Sequence, residues 1–187
     1  MRTRLAASSV VCAACLSVPA TGQAADSDCP NANATPSEVS VWTYAQSLLC
    51  VVNETRRDWG RSSLAPQRNL ARAGEWQTDD MVAEQYFSHT QPDGDTLADR
   101  LDKAKFIPSS NRWSAGENLA AGHDYGGTPA AIVSGWMQSR EHRINLLDPG
   151  FKMAGIGVTR GWPGSTTTQS DSMTIALELG WRTFSRR

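Results

Sequence analysis

The sequence predicts an α+β domain in which helices come first and strands come last. Apolar residues recur near helical spacing in two segments, around residues 41–52 and 70–84. Residues 153–159 and 173–181 instead alternate larger side chains with small or polar ones, as strands do. Because the connection between these two segments is short, we expect them to pair as an antiparallel hairpin, with the helices packed on a small sheet.

Length and composition favour a single domain. The chain has 187 residues and is 40% hydrophobic, which is enough to bury one core. Its start is typical of a secretory signal, because Arg2 and Arg4 precede an apolar run at residues 5–20 and small residues allow cleavage after Ala24 or Ala25. We therefore expect a secreted protein, either extracellular or periplasmic.

Charge and hydropathy exclude two classes of function. No later apolar segment is longer than the signal, so no transmembrane segment is expected. Removal of residues 1–25 would leave 16 basic against 19 acidic residues, a net charge of about −3. No basic stripe is present, so no nucleic-acid partner is expected.

The cysteine count predicts one disulfide in the mature protein. Cleavage of the signal removes Cys12 and Cys15 and leaves Cys29 and Cys50 in an oxidising compartment. A bond between them would tie an irregular arm at residues 26–36 to the first helix, and would contribute roughly 3 kcal/mol. The alternative is two unpaired, buried thiols.

The helices are delimited by capping residues. The first is expected from Ser37, as N-cap, to about Asp58, and the second from about Leu70 to Tyr86. A short third helix begins after Thr96 and runs to about Lys105. The second helix would bury one stripe, made of Leu70, Ala73, Gly74, Gln77, Met81 and Glu84.

The segment from Val133 to Leu147 is the most informative part of the chain. It belongs to a helix for which Thr128 is the N-cap and Pro129 the first residue, and its Trp136 is expected in the core. On one continuous helix, Glu141 and His142 would point about 100° apart and could not face the same cavity.

Three titratable residues from separate segments are the candidate site. His89 follows the second helix, Glu117 lies in an apolar context that predicts a partly buried carboxylate, and His142 lies in the informative helix. Two histidines and a carboxylate could bind a divalent metal ion, although no HExxH or CxxC spacing is present. An alternative nucleophilic site would use Ser139 with His142 and Glu117, but no nucleophile-elbow sequence accompanies it. His123 is interpreted as an exposed loop residue.

Five short motifs in order resemble the CAP superfamily, also called the SCP domain, which includes cysteine-rich secretory, antigen 5 and pathogenesis-related proteins. The resemblance is to bacterial members and covers about residues 41–181. The motifs are Leu-Leu-Cys-Val-Val-Asn-Glu-Thr-Arg at 48–56, Phe-Ser-His-Thr at 87–90, Gly-Glu-Asn-Leu at 116–119, Trp-Met-Gln-Ser at 136–139 with His142, Arg143 and residues 145–147, and Gly-Ile-Gly-Val at 155–158.

The resemblance implies a three-layer α-β-α sandwich over residues 37–187, with His89, Glu117 and His142 lining one shallow cavity. It further implies a divalent ion such as zinc, held by His89 and His142 with support from Asn118 and Ser139. Ser139 replaces a second cavity glutamate of animal and plant members, which disfavours chemistry based on a carboxylate pair.

Three functions are compatible with the resemblance. The preferred one is a secreted, monomeric binding module with a weakly held metal ion, whose extracellular ligand could be a lipid or a cell-surface component. The second is a metal-assisted hydrolase of peptide or ester bonds in which Glu117, His89 and His142 are catalytic. The third is a sterol or fatty-acid binding protein.

Overall fold

The computed structural model describes residues 28–109, 112–164 and 171–183. The predicted signal at residues 1–25 lies outside these ranges. In chain order the elements are α1 Val41–Asp58, β1 Ala65–Pro66, α2 Arg68–Ala83, α3 Leu97–Lys103, β2 Trp113–His123, α4 Pro129–Gln138, α5 Arg140–Leu147, β3 Met153–Arg160 and β4 Ser172–Arg182. Helices and one mixed sheet confirm the predicted α+β class.

The sheet has four strands in the order β1-β3-β4-β2. β3 and β4 are antiparallel, which confirms the predicted hairpin. β2 pairs with the other side of β4 over 11 residues and is an edge strand. This segment was not predicted to be a strand. The interpretation of His123 as an exposed loop residue is correct in its exposure but wrong in its conformation, because His123 is the last residue of β2.

Helices cover both faces of the sheet and form the three layers. α2 lies directly on β3, where Gly155 and Gly157 allow the two backbones to approach. The opposite face of β3 and β4 packs against α1, α4 and α5 in the largest core cluster, which includes Leu48, Trp136, Ile156 and Leu177. Successive strand residues point to opposite faces of the sheet. The glycines therefore face α2 and allow it to lie close, whereas the aliphatic side chains face α1, α4 and α5 at a normal packing distance.

Two helix boundaries differ from the prediction. α1 is capped by Ser40, whose hydroxyl accepts from the Thr43 amide, whereas the amide of Ser37 is bonded to Asp171. α2 ends at Ala83, because Gln85 adopts a left-handed backbone with φ 60°. As a result Glu84 is exposed and does not belong to the buried stripe.

Three local predictions agree with the structure. Thr96 forms a capping box with Asp99 at the start of α3, and Thr128 caps α4. The disulfide between Cys29 and Cys50 is present and joins the N-terminal arm to α1. No helix within the described ranges is long and apolar enough to cross a bilayer.

Candidate functional site

The candidate site lies at the edge strand β2. Glu117 points to the sheet face that α2 covers, beside its cross-strand partner Glu178 on β4. The next residue, Asn118, points to the opposite face and contacts α5. The edge strand therefore separates the two halves of the site, one attached to α2 and α3 and the other to α5.

Glu117 is the centre of the first half. Its side chain is 2% exposed, and one carboxylate oxygen accepts a hydrogen bond from His89 Nδ1 at 2.6 Å. The other oxygen accepts from Arg100 Nη2 at 2.6 Å, and the Arg100 side chain is 1% exposed. Arg100 also donates to the His89 carbonyl at 3.1 Å, so all three residues are held together. The sequence prediction of a buried carboxylate with a partner agrees with this arrangement.

These contacts set the ionisation of the pair. Burial would raise the pKa of Glu117, but the hydrogen bond from His89 and the charge of Arg100 outweigh it and hold that pKa below its usual value. The hydrogen bond to Glu117 raises the pKa of His89. Glu117 is consequently an ionised anchor, and His89 keeps a proton on Nδ1 and leaves Nε2 directed away from the carboxylate.

His142 belongs to the second half and lies after a break in the helix. The segment that was expected to be one continuous helix is divided at Ser139, whose ψ of 127° ends α4 and precedes α5. Asn118 Nδ2 donates to the His142 carbonyl at 3.0 Å, and Asn145 Nδ2 donates to Asn118 Oδ1. These bonds fix the start of α5 against β2.

The two histidines lie close enough to affect each other. Burial lowers the pKa of His142 first, and the charge of His89 lowers it further. Both causes favour the neutral imidazole of His142. His89 and His142 thus approach β2 from opposite sides and lie within electrostatic range of each other.

Side-chain hydrogen bonds occupy backbone carbonyls on the free edge of β2, near Glu117. Asn145 Nδ2 donates to the Glu117 carbonyl at 3.2 Å, and Trp136 Nε1 donates to the Leu119 carbonyl at 3.0 Å. Trp136 is 2% exposed, in agreement with its predicted core position. The edge carbonyls are thus bonded to this chain's own side chains instead of being available to another strand.

The sequence analysis missed two charged members of the site, Arg100 and Glu178. Glu178 is completely buried, and neither of its oxygens makes a hydrogen bond of ordinary length within the described residues. Burial, followed by the negative charge of neighbouring Glu117, raises its pKa well above the usual value. The proton of the carboxyl pair therefore resides on Glu178 and the charge on Glu117.

One sequence signal could have identified Glu178. It is the single charged residue within the apolar strand at residues 173–181, and a charge in such a run needs a partner. Arg100 carried no comparable signal, because it lies among alternating charges on a short helix. Its burial results from the position of α3 beside Glu117.

Replacement of Glu178 by glutamine is expected to change the pH dependence of stability. Because the folded pKa of Glu178 is raised, its stabilising protonation is complete below about pH 4.3, the ordinary carboxyl value, and is lost as pH rises through the folded pKa. Glu178→Gln cannot ionise, so its free energy of unfolding should rise relative to the wild type with increasing pH. Urea denaturation between about pH 4 and pH 8 measures this difference.

The exposed Glu84 provides a matched control for that substitution. Glu84→Gln should give a stability curve parallel to that of the wild type. If the Glu178→Gln curve is also parallel, Glu178 does not carry the raised pKa.

Ser139 does not form a nucleophilic arrangement in this structure. It is the junction residue between α4 and α5, and its hydroxyl makes no capping hydrogen bond. Glu117, the expected orienting carboxylate, is bonded to His89 and Arg100 instead. Glu141 is exposed and its closest ionic partner is the adjacent Arg140. No Ser-His-Glu relay is therefore formed by these residues.

The ligands predicted for a metal ion are the imidazoles of His89 and His142. Within residues 28–109, 112–164 and 171–183, no group of three or more His, Cys, Asp or Glu side chains is arranged to hold a metal ion. Both oxygens of Glu117 are already hydrogen-bonded. The arrangement therefore does not fit a structural zinc centre with four protein ligands.

The cysteine-rich secretory protein (CAP) family model matches residues 49–170, about two thirds of the chain. The chain belongs to the CAP family. The match includes His89, Glu117 and His142, and it confirms the predicted family. The YkwD protein of Bacillus subtilis is 33% identical over 134 residues, which are 72% of this chain and 48% of that protein. The membrane protein YlbC of the same organism is 32% identical over 118 residues, which are 63% and 32% of the two chains.

Solved structures share the CAP fold. An extracellular protein containing an SCP domain from Bacillus anthracis is 25% identical with a TM-score of 0.55, over 74% of this chain and 43% of that chain. An outer surface protein of Borrelia burgdorferi has a TM-score of 0.62 at 16% identity, over 78% and 97% of the two chains. This CAP protein therefore spans about half or less of the Bacillus relatives, and nearly the full length of the Borrelia chain.

Proposed function

We propose that this CAP protein is a secreted binding module in which His89 and His142 hold a divalent metal ion weakly. The contact between His89 Nδ1 and Glu117 at 2.6 Å is the observation that carries the proposal. A carboxylate on one imidazole nitrogen orients the ring and makes the other nitrogen a better ligand. Arg100 holds this carboxylate in place from its opposite oxygen.

The second ligand is supported by the state of His142. Its lowered pKa favours the neutral form that binds a metal ion. Within the described ranges, the hydrogen bond that fixes His142 is made by its carbonyl, and none is made by its ring nitrogens. The coordination would use two protein ligands, which explains why we propose weak and reversible binding.

The hydrolase alternative receives less support from the same contacts. A general base needs a pKa near the working pH, whereas the pKa of Glu117 is held below its usual value. Its two oxygens are bonded to His89 and Arg100, which leaves none directed freely at a water molecule. These contacts favour a positioning role for Glu117 over proton transfer.

Secretion is part of the proposal. It is supported by the sequence of residues 1–25 and by the disulfide, because disulfides persist in oxidising compartments. The similar SCP-domain protein from Bacillus anthracis is described as extracellular. Mass spectrometry of culture supernatant and periplasmic fractions would identify the mature N-terminus, and an uncleaved cytoplasmic chain would contradict secretion.

Zinc calorimetry on the mature protein tests the binding site. Wild-type protein should bind one ion with measurable heat, and His89→Ala or His142→Ala should abolish it. Glu117→Gln should bind about 10–100-fold more weakly, because it loses the charge that supports His89. The third histidine provides a matched control, since it lies at the far end of β2.

His123→Ala should bind zinc as the wild type does. Equal heats for the wild type and for both His89→Ala and His142→Ala would overturn the proposal. Loss of binding in His123→Ala alone would also overturn it, because the ion would then lie elsewhere. Circular dichroism of each variant would exclude unfolding as the cause of a loss.

A further inference from the structure

A cavity lies at the end of β2 that is remote from Glu117. It has a volume of about 350 Å³, near the lower limit of about 300–1,000 Å³ for small-molecule sites. His123 lies six positions after Glu117 along the extended strand, a distance of about 20 Å. This cavity is therefore independent of the His89 and His142 site.

Three rings line the cavity. The His123 and Trp162 rings meet edge to face with their centroids 5.6 Å apart. Tyr125 also lines the cavity and is 82% exposed. Tyr125 belongs to a short 3₁₀ turn at the surface, so core packing does not explain why an aromatic side chain of this size is present there. The rings thus provide aromatic surface to a ligand in solvent.

The cavity carries negative charge. Asp124 is one of its lining residues, and the hydrogen bond from His123 lowers the pKa of its carboxyl group. The Asp124 amide donates to the Asp171 carbonyl, which brings a second acidic residue next to the cavity. Within the described residues, no lysine or arginine lines it. Charge complementarity therefore favours a cationic ligand.

The backbone around the cavity is closely fixed. Gly122 and Gly127 are packed so tightly that a Cβ on Gly122 would lie 2.6 Å from the Gly127 Cα. Asp124 adopts a left-handed backbone with φ 47°, which aspartate tolerates better than most residues. The backbone that carries His123, Asp124 and Tyr125 is thus fixed in one short turn, which lowers the cost of ordering a binding site there.

Aromatic rings combined with a carboxylate are the chemistry that recognises alkylammonium cations. The electron-rich ring faces attract a cation whose charge is spread over methyl groups, and the carboxylate supplies the opposite charge. A quaternary ammonium group has no hydrogen to donate, so it does not need the precise acceptors that a sugar or a primary amine would need. We propose that Trp162, Tyr125, His123 and Asp124 form a binding site for a quaternary ammonium group, such as a choline headgroup.

Calorimetric titration with choline chloride, and with its neutral isostere 3,3-dimethylbutan-1-ol, tests the charge requirement. The titration is made at about pH 8, where an ordinary histidine is neutral. Choline should bind, and the neutral isostere should bind at least tenfold more weakly. Equal binding of the two would overturn the proposal, because the cavity would then be only apolar. Binding of N-acetylglucosamine without binding of choline would also overturn it.

Substitutions locate the site. Asp124→Asn keeps the left-handed backbone and should weaken choline binding at least tenfold, and Trp162→Leu should abolish it. Tyr125→Leu should weaken choline binding without affecting folding, since Tyr125 is mostly exposed. If Trp162→Leu fails to fold, Tyr125→Leu still tests the site. Trp59→Leu removes another exposed tryptophan, 58% exposed on α1's C-terminal cap, and should bind as the wild type does.

Unchanged choline affinity in Asp124→Asn and Tyr125→Leu would overturn the assignment to this cavity. Phosphocholine in solution and phosphatidylcholine vesicles distinguish two sources of the same headgroup. Binding of phosphocholine alone indicates a soluble ligand, whereas co-sedimentation with phosphatidylcholine vesicles, and not with phosphatidylglycerol vesicles, indicates a membrane surface. Failure of zinc to bind at His89 and His142 would leave this result unaffected.

Discussion

Arg100→Met is expected to lower the free energy of unfolding by about 3–5 kcal/mol, the cost of removing one partner from a buried ion pair. The substitution leaves the buried Glu117 carboxylate without its cation and removes the positive charge near Glu178. It also removes the hydrogen bond to the His89 carbonyl. Methionine replaces the apolar stem of the arginine but not its guanidinium group, so the loss combines the missing charge with the missing hydrogen bonds and packing of that group.

Urea denaturation and a double-mutant cycle measure this loss. Arg100→Met in a Glu117→Gln background should cost less than in the wild type, because no buried charge remains unpaired. Lys103→Met is the matched control on the same helix, since its side chain is 58% exposed and an exposed ion pair such as that with Asp95 contributes little to stability. A loss below about 1 kcal/mol for Arg100→Met would contradict the proposed role of Arg100.

Gly157→Ala is expected to destabilise the protein by about 3 kcal/mol or more, at or above the upper end of the usual range for overpacking. A Cβ at this position would lie 2.0 Å from the carbonyl carbon of Gly74 and 2.3 Å from the amide nitrogen of Glu75. Both are backbone atoms of α2, so no side-chain rotation can relieve the clash. The helix would have to move away from the sheet, together with the segment that leads to His89.

Thermal and urea denaturation should show changes in stability of opposite sign for Gly157→Ala and Gly135→Ala. A Cβ at Gly135 would meet nothing within 4 Å, and Gly135 lies inside α4. Gly135→Ala should therefore stabilise the protein by about 0.5–1 kcal/mol through helix propensity alone. Near-wild-type stability of Gly157→Ala would show that α2 and β3 are not in direct backbone contact.

The spacing of apolar residues predicted the helices and strands whose intrinsic conformational preference agrees with the structure they adopt. The predicted stripe of α2 agrees with the structure at five of its six members, which are buried, and the hairpin agrees with the predicted alternation. β2 was missed because its glycine- and alanine-rich sequence has little intrinsic strand preference. Its conformation depends on pairing with β4 along its whole length, which is a tertiary effect.

The candidate site likewise combines residues that the sequence predicts with an arrangement that depends on tertiary packing. His89, Glu117 and His142 were selected as titratable residues within recognisable motifs, but their arrangement across both faces of an edge strand depends on the position of β2. The break at Ser139 could not be derived from helix propensity, because no glycine or proline marks it. Arg100 and Glu178 become site residues only when α3 and β4 pack beside Glu117.

The most direct test of the metal proposal is anomalous diffraction at the zinc absorption edge, from crystals of the mature protein soaked in zinc. We expect one strong anomalous peak at the edge of β2, within coordination distance of ring nitrogens of both His89 and His142, with Glu117 still bonded to His89 Nδ1. A soaked crystal with no peak between the two histidines, or with its strongest peak on other side chains, would contradict the account.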